Sequence, residues 1–308
     1  YEQLDNLLEV VFKNKKQMKI VKFGGKSLAN GEGINTVLDI IQRKINQEEK
    51  IALVVSARGN ATDELDDILI IAAKNGNYKP LLESFKSYQK DGFEGVDFST
   101  EFEKLDKLFE GVSLIGDYSD KIKDQILAQG EVLAAKLLVF LLNEKGIPAK
   151  LADTRDLIVT DSNFGDAQPL DAISKKNTIQ VFKENKDSVL VFTGFIGANT
   201  KQETTTLGRN GSNYTASLIA NYINAEELQN FTHVDGIYTA NPELVLDAKK
   251  IELLSYNEAN EMANFGANIL HAKTIIPLLE KNIPLRILNT FNHENKGTLI
   301  TANANEVG

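Results

Sequence analysis

The sequence has 308 residues, with 34 Lys and Arg against 43 Asp and Glu, a formal net charge of −9 and no cysteine. The acidic balance argues against a nucleic-acid-binding surface, and the lack of cysteine excludes disulfides and thiolate metal sites while fitting a reducing, cytoplasmic setting. A hydrophobic fraction of 42% fits a core built as one large domain or two joined lobes, and no apolar run of about 18 residues calls for a membrane span.

Residues 1–17 carry acidic residues and no cleavage-site pattern, so they read as a short helical extension. MKIVKF, Met18 to Phe23, reads as a buried strand that stops at Gly24-Gly25, with a helix from about Ile34. Strand, glycine pair and helix suit an anion: glycines let backbone N–H groups approach it, and a helix N-terminus adds partial positive charge. Lys22 stands just before that turn. Two better-known phosphate loops are not met. A P-loop ending in Gly25-Lys26-Ser27 needs a glycine where Ile20 stands, and a dinucleotide fingerprint from Gly31 needs one at Thr36.

Residues 51–57 read as a second buried strand and 62–75 as an amphipathic helix, with Leu65, Ile68, Leu69 and Ala72 at helical spacing. The charged stretch 80–125 reads as a helical excursion covering the sheet. A largely buried helix is expected over 130–145, ended by Gly146-Ile147-Pro148. Strands follow near 149–152 and 157–160, then a helix over 171–186. SVLVFTGFIG, 188–197, reads as the clearest central strand of the second half. A shorter strand at 204–207 leads through Gly208–Gly211 into a helix at about 212–223. A strand and an Asp235-Gly236 turn fall within 231–240. Helices at 257–264 and 271–281 and strands at 284–289 and 298–301 close the chain. Strands alternating with helices indicate an α/β fold, its mostly parallel sheet covered on both faces.

TTTLGRNGSNYTA, 204–216, repeats the anion-binding design of the first loop. Gly208 and Gly211 free the backbone, and Ser212 and Asn213 stand where they can cap the helix and donate hydrogen bonds. Arginine is scarce, limited to Arg43, Arg58, Arg155, Arg209 and Arg286. Arg209, inside the glycine loop, is therefore the favoured carboxylate or phosphate clamp. The histidines His233, His271 and His293 show no metal-ligand spacing, so no protein-held metal is expected.

VKFGGKSLA, VVSARGNATD, QGEVLAAKLL, VFTGFIG, TTTLGRNGSNYTA, THVDGIYTANP and FGANILHAKT occur in this order along nearly the whole chain. Together they resemble the aspartokinases, and SLANGEG and HAKTIIPL resemble the kinase half of bifunctional aspartokinase/homoserine dehydrogenases. The resemblance implies a three-layer αβα sandwich of the amino-acid-kinase, carbamate-kinase-like type with two lobes. The catalytic domain would span 18–301, with an aspartate-side lobe at about 18–187, a nucleotide-side lobe at about 188–301 and a tail at 302–308. It also implies ATP-dependent phosphorylation of the aspartate side-chain carboxylate, as the first step towards lysine, threonine and methionine. Mg²⁺ would ride mainly on the nucleotide phosphates.

Lys22 and Arg209 are the catalytic candidates. Lys22 would meet the γ-phosphate, with Gly24, Gly25, Lys26, Ser27 and Gly211 also on the phosphate side. Ser56, Thr62, Glu131, Arg209, Ser212 and Asn213 match the aspartate site, with Glu131 on the substrate ammonium. Glu131 also reads as a helix-opening glutamate placed for the dipole, and Thr62 as an N-cap. Thr232, His233, Tyr238, Asn241 and Asn268 match the nucleotide site. Partners would be aspartate, ATP, a second copy of the chain, and a fused or associated homoserine dehydrogenase.

Several positions depart from the family pattern. Asn213, His233 and Asn241 replace acids, Glu243 replaces an arginine, Asn268 a lysine, Ala272 a proline and Lys26 a threonine. A charge reversal facing a triphosphate costs on the order of 1–3 kcal/mol. A rewired active site, with Lys26 and Lys273 restoring positive charge, and a weakened site in a regulatory or structural domain both stay open. A kinase of the same fold acting on another small acid or on carbamate is a third reading.

Overall fold

The computed structural model describes residues 18–242, 244–264 and 272–302. The expected helix over 1–17, and Glu243, Asn268 and His271, lie outside the described residues.

Strand β1 (Met18–Phe23) runs into a short 3₁₀ turn, Gly25–Leu28, and then helix α1 (Gly31–Asn46). α1 starts before the expected Ile34 because Asn30 caps it, its side chain accepting the Gly33 N–H at 2.8 Å. β2 (Lys50–Val55) and α2 (Ala61–Ala73) follow as expected. The 80–125 excursion resolves into α3 (Lys79–Lys90), α4 (Ser99–Ile115) and the first turns of α5 (Asp120–Glu144). It covers helices rather than the sheet: α3 and α4 pack on α2, and α4 also on α5.

α5 is 25 residues long and begins ten positions before the expected start, capped by Ser119. Gly130 therefore interrupts nothing. Its missing side chain lets the middle of α5 press on the loop after β2, where a Cβ would stand 2.8 Å from that of Ala57. α5 is apolar and long enough to cross a bilayer, but 72% of its apolar window is buried inside the protein, as in a core helix.

β3 (Ala149–Ala152), β4 (Val159–Thr160) and α6 (Asp171–Glu184) come next. The run 188–197 is not one strand. It divides into β5 (Val189–Thr193) and β6 (Ile196–Asn199), which belong to different sheets. Gly194 and Phe195 make the break, Phe195 with a φ of 68°. β7 (Thr204–Thr206) pairs antiparallel with β6 and leads into α7 (Gly211–Ile223). Then come β8 (Glu227–Thr232), β9 (Ile237–Tyr238), β10 (Lys250–Ile251), β11 (Leu253–Ser255), α8 (Tyr256–Asn264), α9 (Ala272–Glu280), β12 (Leu285–Asn289) and β13 (Thr298–Thr301).

The main sheet has eight strands in the order β11-β13-β12-β8-β1-β2-β5-β3. Every pairing is parallel except β12 with β13. Alternation sorts its side chains into two cores. Val21, Phe23, Leu53 and Val55 meet α1, α2 and α5 on one face. Ile20, Ala52, Val54, Leu228 and Ile287 meet α6, α7, α8 and α9 on the other. This is the expected three-layer αβα arrangement. Phe23 pairs with Val55 and Phe231, and Phe231 with Leu288, so four strands end together. Ligand sites of open α/β sheets form beyond such an edge of carboxyl ends.

Candidate functional site

A cleft of about 500 Å³ opens beyond that edge, and both Lys22 and Arg209 line it. The two glycine loops, far apart in sequence, share one cavity. Ser56, Thr62, Glu131, Ser212, Asn213, Gly25 and Gly211 line the same space.

Lys22 follows Ile20 in the strand alternation and is only 7% exposed. Burial pulls its ammonium down to about 8, opposed by the charge of Glu131. Glu131 reaches the cleft from the middle of α5, so the helix-opening dipole reading does not hold. It is 3% exposed, and burial pushes its carboxyl up to about 8. The Ala57 backbone N–H, the Ser212 hydroxyl and the Lys22 charge act in the other direction. The Ser212 hydroxyl donates to Oε1 of Glu131 at 3.5 Å, while Oε2 has no hydrogen-bond partner among the described residues.

Gly208 and Asn210, both with positive φ, turn the chain into α7 and leave Arg209 exposed at the bend. Among the described residues Arg209 makes no ion pair. Three other arginines are committed elsewhere. Arg58 is buried, donates to the carbonyls of Leu28, Tyr88 and Gln89 and stacks on Tyr88 and Phe93. Arg155 pairs with Asp153 and Arg286 with Glu227.

Ser212 and Asn213 are not caps. The N-cap is Asn210, without a side-chain hydrogen bond, and both residues sit in the first turn of α7. The Oδ1 of Asn213 is buried without a partner among the described residues. Thr62 is likewise inside the first turn of α2, behind Asn60. The cleft thus presents two cations of different reach and two acceptors unpaired among the described residues, Glu131 Oε2 and Asn213 Oδ1. An acceptor buried without a partner is costly, so each calls for a donor from a ligand. An ammonium group supplies such donors.

Of the nucleotide-side candidates, Lys26, Thr232 and His233 stand at or just beyond the ends of β1 and β8. Lys26 Nζ lies 3.3 Å from His233 Nε2. The Thr232 hydroxyl accepts the Val234 N–H at 3.1 Å, closing a local turn. Tyr238 sits in β9 opposite Lys250, and Asn241 is exposed in the loop beyond. Some expected donors are already engaged: the Gly24 N–H donates to Phe231 O at 3.1 Å and the Gly211 N–H to Gly208 O at 3.0 Å. Ser27 is fully buried, its hydroxyl sharing a 2.7 Å hydrogen bond with Thr290. Lys273 pairs with Asp166 beside the Gly208 turn.

Asp124 was not singled out from sequence. It lies two turns ahead of Glu131 on α5 and therefore faces the same cleft. Its carboxylate accepts the N–H groups of Gly165 and Thr206 at 2.9 Å and the Thr206 hydroxyl at 2.8 Å. Burial raises its pKa against those three hydrogen bonds. Asp124 therefore ties the 161–168 loop and β7 to the helix that carries Glu131. Among the described residues no cluster of three or more His, Asp or Glu gathers to hold a metal ion.

Residues 17–289 match the profile of the Amino acid kinase family. The chain is 32% identical over 309 residues to the bifunctional aspartokinase/homoserine dehydrogenase 2, chloroplastic, of Arabidopsis thaliana, covering 96% of this chain and 34% of that protein. It is 30% identical over 291 residues to the lysine-sensitive aspartokinase 3 of Escherichia coli, covering 92% of this chain and 64% of the relative. The crystal structure of E. coli aspartokinase III in complex with aspartate and ADP superimposes with a TM-score of 0.85 at 29% identity, covering 94% of this chain and 66% of that one. The chain thus spans about a third of the bifunctional relative and under two thirds of the single-function one. The match of fold and nearly full-length profile has one consequence: this chain belongs to the amino acid kinase family, with its similarity directed to the kinase part of aspartokinases.

Proposed function

We propose that the chain transfers the γ-phosphate of ATP to the side-chain carboxylate of L-aspartate, giving 4-phospho-L-aspartate and ADP. The observation that carries this reading is the convergence of Lys22, Arg209 and Glu131 on one cleft. The substrate is an amino acid with two carboxylates and an ammonium. Arg209 takes the α-carboxylate through its planar fork. Glu131, ionised on binding, and the Asn213 carbonyl take the ammonium. The side-chain carboxylate is then held toward Lys22.

A carboxylate near pH 7 is already ionised and needs no general base. Its oxygen attacks the γ-phosphorus, the bond to the β–γ bridging oxygen breaks, and ADP leaves with that electron pair. The obstacle is repulsion between two anions, so rate comes from positioning and charge neutralisation. Lys22 offsets charge on the transferring group, and burial concentrates its effect. Lys26, beside His233, adds a cation at the phosphate side. Since the described residues offer no three-ligand cluster, Mg²⁺ would be held by the nucleotide phosphates, where it neutralises charge. The nucleotide would lie along Thr232, His233, Tyr238 and Asn241, in the 188–301 half of the chain that also supplies Arg209 and Asn213. Homo-oligomerisation, cytoplasmic action and a fused or associated homoserine dehydrogenase belong to the same reading, the last supported by the bifunctional relatives.

The second reading, a kinase-like domain with weakened catalysis, is favoured by Asn213, His233 and Asn241, which leave the site three acids short of the family pattern. Trapping the acyl phosphate with hydroxylamine separates the two. With aspartate, ATP and Mg²⁺ the chain is expected to yield hydroxamate well above a Lys22→Ala control. Equal yields defeat the proposal.

A further inference from the structure

A second cavity, of about 340 Å³, opens on the α1 face of the main sheet and shares no lining residue with the cleft. Register explains its floor. Arg286 pairs with Gln229 and Leu288 with Phe231, so these four residues project from adjacent strands as two side-by-side pairs. The last turns of α1 form one wall, and the 293–296 loop forms the other.

Gln229 is 6% exposed, and its Oε1 has no hydrogen-bond partner among the described residues. The Nδ1 of His293, in the opposite wall, is also buried without a partner among the described residues. Polar atoms left this way call for a ligand that completes them. The charge around them is asymmetric. Arg286 is held by Glu227 and Lys44 by Glu49. That leaves Arg43 and Lys296, both exposed, facing the single lining acid Glu294. Arg43 makes no ion pair among the described residues, and its fork is free for an oxyanion. Phe231 and Leu288 give the floor an apolar strip that suits a short hydrocarbon body.

We propose that this cavity binds a small oxyanion, a carboxylate or a phosphate, that also carries its own O–H or N–H group. The oxyanion lies on Arg43 and Lys296, and the donor reaches the Gln229 carbonyl. The site stands apart from the phosphoryl-transfer cleft, and binding is read without reference to activity.

The test is an NMR titration of the side-chain amide of Gln229 with glycolate, acetate and inorganic phosphate, run in an Arg209→Ala background to weaken anion binding in the cleft. Glycolate or phosphate, or both, should shift that amide saturably, and their relative affinities decide between carboxylate and phosphate. Acetate, which lacks the donor, should bind at least about fivefold more weakly than glycolate if the carboxylate is the ligand. Arg43→Ala, an exposed change that leaves the fold intact, should weaken binding about tenfold. Gln229→Leu, followed at the Leu288 backbone amide, should erase the glycolate–acetate difference. Shifts confined to surface lysines without saturation at Gln229, equal binding of acetate and glycolate without phosphate binding, or an unchanged affinity in Arg43→Ala would each overturn the proposal.

Discussion

Replacing Glu131 by Gln isolates the charge at the centre of the cleft while keeping size and shape. The carboxylate is 3% exposed, and its Oε2 has no hydrogen-bond partner among the described residues. A hydrogen bond to a charged group is worth about 1.5–3 kcal/mol, so losing it to the aspartate ammonium should raise KM for aspartate by about 10- to 150-fold. KM for ATP should change less than about twofold, because the nucleotide candidates Thr232, His233, Tyr238 and Asn241 do not line the cleft that holds Glu131. Stability should move the other way. In the folded protein burial pushes this carboxyl up to about 8, against a normal value of 4.5. Between those values the native state holds a proton that the unfolded chain has released, so stability falls as pH rises through that window. Glutamine removes the penalty. The variant should therefore melt a few degrees above the parent at pH 7, with the gap narrowing to nothing near pH 4.5. Coupled initial-rate assays at varied aspartate and ATP, together with thermal melts from pH 5 to 8, read both effects. A KM for aspartate within about threefold of the parent, or equal rises for both substrates, refutes the assignment.

Arg209→Ala should raise KM for aspartate by about 100-fold or more while leaving the melting temperature within about 1 °C, since the residue is exposed and makes no ion pair among the described residues; a large loss of stability would mean that the side chain serves the fold. Lys22 should lose its proton above about pH 8, so kcat should fall on the alkaline side of that value, and a Lys22→Arg variant should retain a flat alkaline limb at reduced rate. Gly194→Ala places a Cβ 2.6 Å from that of Ser212 and 2.7 Å from Val55 O, which should destabilise the protein by about 1–3 kcal/mol in denaturant melts and raise KM for aspartate by shifting the start of α7; a neutral result would mean that this junction yields easily.

Lys22 and Arg209 were legible in the sequence because their signals are local. Each combines a cation with glycines after a β-rich run, and arginine is scarce enough for one in a glycine loop to stand out. Glu131 was legible through family resemblance alone. Its place in mid-helix was hidden because Gly130 looks like a helix boundary, and only the packing of Ala57 against it explains the glycine. The same misplaced boundary concealed Asp124, whose spacing to Glu131 has meaning only if both share one helix. The run 188–197 looked continuous because Gly194 breaks it by a tertiary contact with Ser212, which hydrophobic pattern does not register. β8 begins at Glu227 rather than near Phe231 because Gln229 and Asn230 are buried polar residues within a strand, against the usual apolar signature. Ser27 could not be told from a phosphate contact, since its partner Thr290 is distant in sequence. The parallel sheet and its two covering layers were legible because strand and helix periods alternate clearly.

The break at Gly194 has a further effect on how the cleft keeps its width. β5 ends in the main sheet beside β2, and β6 begins in the small sheet that delivers the Arg209 loop. The Gly194 N–H bonds to Val55 O, the Phe195 N–H to the Thr215 hydroxyl, and the Thr154 hydroxyl donates to Thr193 O or Ile196 O. Two residues thus act as a fixed spacer between the leaf bearing the guanidinium and the leaf bearing the ammonium. Lengthening or shortening the chain here by one residue would slide the two jaws out of step, though each sheet on its own could still form.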